Sequence, residues 1–362
     1  GDIAADDAAI NTTYVASEVN DINSLQPYLK IGSEIIGIGA MTTDGVTIGF
    51  NGCTRGMFGT TAQNHSNDTL IQPCHYFYPS TVLPQATRGL YYYLQTLFNA
   101  AGIDDSFLDL TGWESEISAR LSLFNDVERL ITEPTNINKL IGELQRDCGF
   151  FTWFDETDKK IKLKAVRPEI GGYTIDENKN LIAGKTSHSI ESNERISEVW
   201  SSYGVKNQVE SLDNNENYSQ IYVKLSDGAN PFKYGQRLLY QFKSPWIQNE
   251  FQVKRAAGRI LNRYDDNTRF INFSLDYSFN VRMGDVFRLA YSGFTDATGQ
   301  AAELTWQIIS LDRIDNEIKI KAQEFYISGN YGVWADNTIP NYSNSTDEQR
   351  KKYTYWNRNT WG

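Results

Sequence analysis

Residues 28–50 read YLKIGSEIIGIGAMTTDGVTIGF, and this stretch decides the fold class. Short runs of β-branched and aliphatic residues are interrupted by glycines and by the turn dipeptide Asp44-Gly45, which is typical of antiparallel hairpins. A polar loop covers residues 51–69, and the next segment, LIQPCHYFY at residues 70–78, again favours a strand. The sequence therefore predicts a meander of strands, with an extended hairpin formed by strand, long loop and strand.

Helical periodicity begins after residue 85. Apolar residues spaced three and four apart predict two amphipathic helices, one ending near Gly102 and the other running from an N-cap at Thr135 to Gly149. The apolar positions are Leu90, Tyr93, Leu94, Leu97, Phe98 and Ala101, then Ile137, Leu140, Ile141, Leu144 and Cys148. FFTWF and KIKLKAV flank the turn DETDK and predict a hairpin directly after the second helix. Residues 86–168 should thus form a small α+β domain.

The remainder of the chain is again strand-rich. Strands are predicted at FINFSLDY, VFRLAY, LTWQIISL and EIKIKAQEF, and the spacing favours an antiparallel barrel or sandwich. One helix is expected at residues 249–264, with an apolar face made of Phe251, Val253, Ala257, Ile260, Leu261 and Tyr264. The predicted division is a β-rich part with a long hairpin loop at 1–85, the α+β domain at 86–168, a second β-barrel domain with one helix at 169–329, and an arm or linker at 330–362.

Composition limits the possible functions. The chain has 362 residues, of which 40% are hydrophobic and 22% charged, as expected of a soluble globular protein. No apolar run approaches the roughly twenty residues of a membrane helix, so no stable membrane insertion is expected. The formal charge of −11 argues against tight binding of nucleic acid. The opening run GDIAADDAAINTTY resembles neither a signal peptide nor an initiator region, which suggests a fragment or a processed product.

Catalytic motifs are missing from the sequence: it contains no P-loop, no G-x-S-x-G elbow, no H-E-x-x-H and no C-x-x-C pair. The acidic pairs Asp104-Asp105 and Asp265-Asp266 could serve as glycosidase carboxylates, but solvated turn residues are the better interpretation. We expect no catalytic residue, no cofactor and no enzymatic activity.

Four soft ligands lie on the arms and tip of the predicted hairpin, namely Cys53, His65, Cys74 and His75. They could hold zinc, but only Cys74 and His75 are close in sequence, and adjacent side chains of a strand point to opposite faces. A disulfide between Cys53 and Cys74 is a second possibility, and two reduced, packed thiols are the favoured one. We therefore predict no metal, and we place Cys148 in the core of its helix.

Residues 54–62 of the loop read TRGMFGTTA and lead to His65. Two glycines permit a positive φ and the threonines can cap turns, so we expect an ordered loop. Following a strand that reads IGSEII, this arrangement resembles a loop of the central tail-hub or tail-tip (host-specificity) proteins of long-tailed bacteriophages. The resemblance assigns a subunit contact to Arg55, Gly56, Gly59 and Thr60.

Further motifs agree with that family in their order along the chain. LITEP at 130–134, WFD at 153–155 and IKLKAVRP at 161–168 are similar to the middle domain of such hubs. RISEV at 195–199, SPWI at 244–247, the helix with Arg255 and Arg259, and MGDV at 283–286 resemble the second barrel. IPNY at 339–342 and EQR at 348–350 resemble the closing segment, so the likeness covers residues 28–356. Hubs of this kind generally have further residues before the start of this chain.

The resemblance implies a structural virion protein without an active site, located in the virion tail and assembled in the host cytoplasm. Its expected partners are two further copies of itself in a homotrimer and the neighbouring tail proteins: distal tail ring, tape measure and tip fibre. Two β-barrels per subunit would build a pseudo-sixfold ring, and DNA would pass through its lumen without specific binding. The alternatives are a receptor- or carbohydrate-binding module, for which aromatic residues near the C-terminal arm argue, and an envelope-degrading hydrolase.

Overall fold

The structure is a computed structural model, and it describes residues 3–4, 9–13, 27–43, 47–66, 69–79, 89–166, 173–191, 195–225, 237–264, 267–295, 298–314, 316–325, 333–334, 344, 346 and 353–354. The chain divides into two compact units. The first comprises Gly1–Arg167 and Glu194–Asp266, and the second comprises Pro168–Asn193 and Asn267–Gly362. No helix in the described part of the chain is both long enough and apolar enough to span a membrane.

Strands outnumber helices in both units. The strands are β1 Ala9–Thr13, β2 Tyr28–Ile31, β3 Glu34–Gly37, β4 Ala40–Thr43, β5 Thr47–Asn51, β6 Ile71–Pro73, β7 His75–Phe77, β8 Arg129–Ile131, β9 Phe150–Asp155, β10 Lys160–Ala165, β11 Thr174–Asp176, β12 Ser187–Glu191, β13 Glu198–Val205, β14 Tyr218–Leu225, β15 Leu239–Lys243, β16 Thr268–Asp276, β17 Val286–Thr295, β18 Ala301–Ile314, β19 Glu317–Glu324, β20 Val333–Trp334 and β21 Tyr353–Thr354. The helices are α1 Leu90–Ala100, α2 Leu110–Glu116, α3 Ile137–Leu144, α4 Glu177–Asn180 and α5 Glu250–Tyr264.

The first strands form two three-stranded antiparallel sheets, with orders β1-β5-β4 and β3-β2-β6. Their shared core consists of aliphatic side chains and one phenylalanine: Ile10, Leu29, Ile31, Ile36, Ile48 and Phe50. Strands are present throughout this stretch, but they form two hairpins, β2–β3 and β4–β5, in different sheets rather than one meander, and the extended hairpin is wrong. β6 pairs with β2, where Ile31 lies opposite Ile71, while β5 pairs with β1 and β4. The Asp44-Gly45 turn lies outside the described residues.

Helices of the first unit cover a second, larger core, and both predicted amphipathic helices are present as α1 and α3. The N-cap of α3 is Asn136 rather than Thr135, because the Asn136 side chain accepts a hydrogen bond from the N–H of Asn138. A π-helical turn, Gln145–Gly149, follows α3 and places Cys148 in this core, as expected. The predicted hairpin after it is confirmed as β9 and β10.

A third element of the first unit is the sheet β14-β13-β15, against which α5 packs. Helix α5 buries small and aliphatic residues, which allows close approach to the sheet: Val253, Ala256, Ala257 and Leu261. The predicted helix is therefore confirmed, but its predicted face is partly wrong, because Phe251 is 75% exposed.

The second unit is dominated by a six-stranded sheet with the order β11-β17-β18-β19-β16-β12. It is mixed, since β11 runs parallel to β17 while the other pairs are antiparallel. Its core contains Phe273, Phe287 and Trp306, each at most 2% exposed. The mainly β fold class is thus confirmed. In the described strand order of this sheet, β11 and β12 lie at opposite edges, so closure into a barrel stays a prediction. The division of the chain into four parts also stays a prediction.

Candidate functional site

A carboxylate is buried under the loop that the sequence singled out. Glu34 begins β3 next to Ile35 and Ile36, and all three residues are fully buried. The β2–β3 hairpin pairs Glu34 with Ile31, which places the carboxylate in an apolar strand layer. Because an isolated buried charge is strongly unfavourable, Glu34 requires dedicated partners.

Residues 54–65, which we call the anchored loop, supply those partners. Arg55 donates two hydrogen bonds to Glu34, from Nε to Oε1 and from Nη2 to Oε2, each at 2.8 Å. His65 Nε2 lies 2.7 Å from Oε2 and donates, because an ionised carboxylate only accepts. The backbone N–H groups of Gly56 and Gln63 donate at 3.0 and 3.2 Å. Five donors from the anchored loop thus converge on one side chain.

These contacts determine the ionisation of Glu34. Burial alone raises the pKa of its carboxyl, but the hydrogen bonds from Arg55, His65, Gln63 and Gly56 outweigh burial and lower the pKa to about 2. The group is therefore an anion near neutral pH, with both oxygens occupied by donors. This arrangement suits a structural counter-ion rather than a general base.

Arg55 also closes the anchored loop on itself and on the start of the chain. Its Nη2 donates to the carbonyl of Gln63 at 2.7 Å, and its Nη1 donates to the carbonyl of Ala4. Ile3 and His65 exchange two backbone hydrogen bonds of 2.8 Å. One guanidinium thus ties together a buried strand, the anchored loop and the residues at 3–4, and its side chain is only 8% exposed.

The middle of the anchored loop has a fixed backbone. Thr60 Oγ1 donates to the carbonyl of Met57 at 2.7 Å and accepts from the N–H of Ile35 at 3.0 Å. Gly56 and Gly59 have φ values of +65° and +77°, a region that disfavours L side chains. A Cβ on Gly59 would lie 1.9 Å from the carbonyl oxygen of Lys206, so the loop also packs closely against the segment after β13.

Aromatic packing supports the same loop from the side. The Phe58 ring meets the rings of Tyr28 and Tyr76 edge to face, at 5.0 and 4.9 Å between centroids. The Tyr76 hydroxyl donates to Glu128 at 2.7 Å. The anchored loop is therefore ordered, as predicted, while its crown residues Thr61 and Asn64 stay exposed.

The structure separates the four candidate metal ligands by role. His65 is engaged with Glu34, and Cys53 Sγ donates to the carbonyl of Phe50 at 3.4 Å. Cys74 is buried between β6 and β7, and burial raises the pKa of its thiol to about 12. Burial lowers the pKa of His75. In the described part of the chain, no three His, Cys, Asp or Glu side chains are grouped to hold a metal, and all three cysteines, including Cys148, are free.

The acidic pairs have local roles where they are described. Asp104 caps a 3₁₀ turn by accepting from the N–H of Ser106 at 2.8 Å, and Asp105 accepts from Gln95 at 2.9 Å. Asp265-Asp266 lies outside the described residues, as do IPNY and EQR of the C-terminal segment.

Sequence reasoning missed Glu34, which is the centre of the site. Its donors lie between 21 and 31 residues away, so no local pattern joins them. The available signal was an acidic residue directly before two isoleucines in an otherwise apolar strand, which an unpaired carboxylate would destabilise. The assigned contact residues Arg55, Gly56 and Thr60 all take part in holding the loop to its own chain. Their contact with a neighbouring subunit stays a prediction.

No protein-family model and no curated protein matches the chain. Among solved structures, it is similar to a chain in the virion of a native gene transfer agent particle, with TM-score 0.48, 13% identity, and 78% of this chain and 64% of that chain covered. It is also similar to a tail protein from Neisseria meningitidis MC58, with TM-score 0.41, 10% identity and coverages of 87% and 91%. The 43 kDa tail protein of prophage MuSo2 from Shewanella oneidensis gives TM-score 0.38, 11% identity and coverages of 89% and 92%.

Proposed function

We propose that this chain is a structural subunit of a phage tail, acting in the tail hub or tail tip as a homotrimer that surrounds the path of the outgoing DNA. The observation that carries the proposal is the anchored loop, whose internal contacts hold it in one conformation around Glu34. The motif order along residues 28–356, which resembles the tail-hub family, supports the same assignment.

Pre-organisation is the physical reason why such a loop suits assembly. A loop that must become ordered when subunits dock loses conformational entropy, which weakens association. In the anchored loop this ordering is already achieved within the subunit, because Arg55, Thr60 and the backbone are bonded internally. Its exposed crown, including Thr61 and Asn64, is then available for a neighbour at little entropic cost.

The polar groups of the site are bonded to one another, as is typical of a structural site. Glu34 has its oxygens occupied, and His65 donates to it from Nε2. We therefore propose no catalytic role for the anchored loop. A hydrolase would instead require an unoccupied acid or base converging on a pocket.

The net charge supports the proposed channel. With 45 acidic and 34 basic residues, the chain is acidic, and acidic walls repel the phosphates of passing DNA. DNA would then move through the lumen without specific binding. The proposed neighbours are the distal tail ring, the tape measure and the tip fibre, in the virion tail, after assembly in the host cytoplasm.

A surface substitution tests the role of the loop without disturbing its anchor. Thr61→Lys places a long, charged side chain on the exposed crown and should lower the trimer fraction in sedimentation velocity experiments, because a charge buried at a contact is unfavourable. Thr111→Lys, at an exposed position on α2, is the matched control and should leave the trimer intact. Equal trimer fractions in the two variants would contradict the proposed contact.

A further inference from the structure

A cavity of about 500 Å³ lies within the first unit, away from the anchored loop's buried carboxylate. Strand β8, helix α3, the segment 208–213 and strand β15 line it. Nothing in the proposed assembly role requires this cavity. Its volume is sufficient for a small organic or inorganic ion together with water.

Arg129 is the most buried charged group of this lining, with 4% of the residue exposed. It lies on β8 opposite Phe77, and its guanidinium carbon is 5.5 Å from the centre of the Trp246 ring. It forms an ion pair with Glu143 of α3 through Nη1. Its Nε has no hydrogen-bond partner among the residues that the structure describes.

Unpaired buried donors of this kind are unfavourable, because their hydration has been lost without replacement. Burial lowers the pKa of Arg129 to about 10, although Asp147 opposes this shift. The guanidinium is a rigid fork whose remaining N–H groups match the spacing of two oxygens on one acid group. Beyond the ion pair with Glu143, the guanidinium therefore keeps an N–H group at Nε without an acceptor.

We propose that this cavity is a binding site for a small oxyanion, a carboxylate or phosphate group that accepts hydrogen bonds from the Arg129 guanidinium. Glu143 occupies part of this position as an internal carboxylate, and its side chain is 14% exposed. A ligand that enters must compete with Glu143 for the guanidinium.

Apart from Arg129 and Glu143, the charged groups of the lining are engaged elsewhere or are of mixed sign. Arg146 is paired with Asp147 at 2.9 Å, and Lys243 donates to the carbonyl of Asp213. The remaining charged members of the lining are one cation and three acids: Lys139, Glu133, Glu210 and Asp213. Because the signs are mixed, the cavity as a whole does not concentrate anions, and the selectivity must come from the Arg129 fork.

The competition between Glu143 and the ligand provides the test. The full chain is titrated with inorganic phosphate and, separately, with succinate, at constant ionic strength against chloride, and binding is followed by isothermal titration calorimetry. Glu143→Gln keeps the side-chain shape but removes the competing charge, so it should tighten binding by about tenfold or more. Arg129→Lys keeps the charge but loses the fork, and it should weaken binding by a similar factor.

Glu133→Gln is the matched control, since it removes an exposed acidic group of the same lining, whereas the ion pair of Arg129 is with Glu143. It should leave the dissociation constant within about twofold of the wild-type value.

Tighter binding of phosphate than of succinate indicates free phosphate as the ligand, and the reverse order indicates a carboxylate. Binding that is equal in wild type, Glu143→Gln and Arg129→Lys means an adventitious ion only, and no binding to wild type or Glu143→Gln also overturns the proposal. Trimer formation is measured separately and has no bearing on this result.

Discussion

At the scale of single residues, Glu34 and Arg55 depend on each other. Removing either side chain leaves the other buried without its counter-charge, and breaking such a pair typically costs about 3–5 kcal/mol.

The sequence predicted an ordered loop correctly, from its glycines and threonines. The family resemblance placed Arg55 at a subunit contact, which stays a prediction, and the structure pairs this residue with Glu34 in the same chain. The pairing was beyond sequence reasoning because it joins a strand residue to a loop residue 21 positions further along the chain.

The lowered pKa of Glu34 predicts a specific pH dependence of stability. The folded-state pKa of about 2 lies below the usual value of 4.5, so the stabilisation is complete above pH 4.5 and is lost as the pH falls toward 2. Glu34→Gln should therefore be less stable than wild type in urea unfolding at pH 7, and this difference should shrink between pH 4.5 and pH 2. Glu250→Gln, which alters an exposed ion pair with Lys254, should show almost no difference at either pH. A constant difference between wild type and Glu34→Gln across this range would contradict the assignment.

The energetic effect of the close approach between the anchored loop and Lys206 can be measured by comparing substitutions at two glycines with similar backbone conformations. Gly59 and Gly102 have φ values of +77° and +81°, but a Cβ on Gly102 would meet nothing within 4 Å. Gly102→Ala should cost only the conformational penalty of about 1–2 kcal/mol. Gly59→Ala should cost roughly 1–3 kcal/mol more, because the new methyl collides with a backbone carbonyl. Equal free energies of unfolding for the two variants would show that the loop does not pack as described.

At the scale of helices and strands, hydrophobic periodicity predicted the positions of the main helices correctly, whereas a helix cap and a strand boundary were predicted incorrectly. The three- and four-residue spacing predicted α1, α3 and α5, because burial of one face dominates the stability of such helices. The cap of α3 was misplaced by one residue, since both Thr135 and Asn136 are chemically suitable. LIQPCHYFY was predicted as one strand but divides at Cys74, since β6 pairs with β2 and β7 with β8. Such a change of partner depends on distant segments.

Helix α5 offers a direct comparison of a buried and an exposed apolar residue. Leu261 is 1% exposed in the core of the first unit, while Phe251 is 75% exposed. Leu261→Ala should lower the free energy of unfolding by about 2–5 kcal/mol, through lost burial and the cavity left behind. Phe251→Ala should change it by less than about 0.5 kcal/mol. A larger loss of unfolding free energy for Phe251→Ala in denaturant titrations would show that Phe251 belongs to the buried face of α5, as the sequence predicted.

At the scale of the whole molecule, composition predicted a mainly β protein, and the described strands form seven sheets. Strands β16 to β19 were predicted from the sequence, and apolar and charged residues alternate in β19. The spacing favoured an antiparallel barrel or sandwich, and closure of this sheet into a barrel stays a prediction, since it depends on whether the edge strands β11 and β12 meet. The proposed trimer belongs to this scale, because it concerns the surfaces that a single chain leaves uncovered.

The oligomeric state of the full chain tests the central proposal most directly. Native mass spectrometry at neutral pH and micromolar concentration should give the mass of three copies. The trimer should persist in Thr111→Lys and be reduced in Thr61→Lys, because only the second variant alters the crown of the anchored loop. A stable monomer for the wild-type chain at high protein concentration would contradict the proposed hub or tip role.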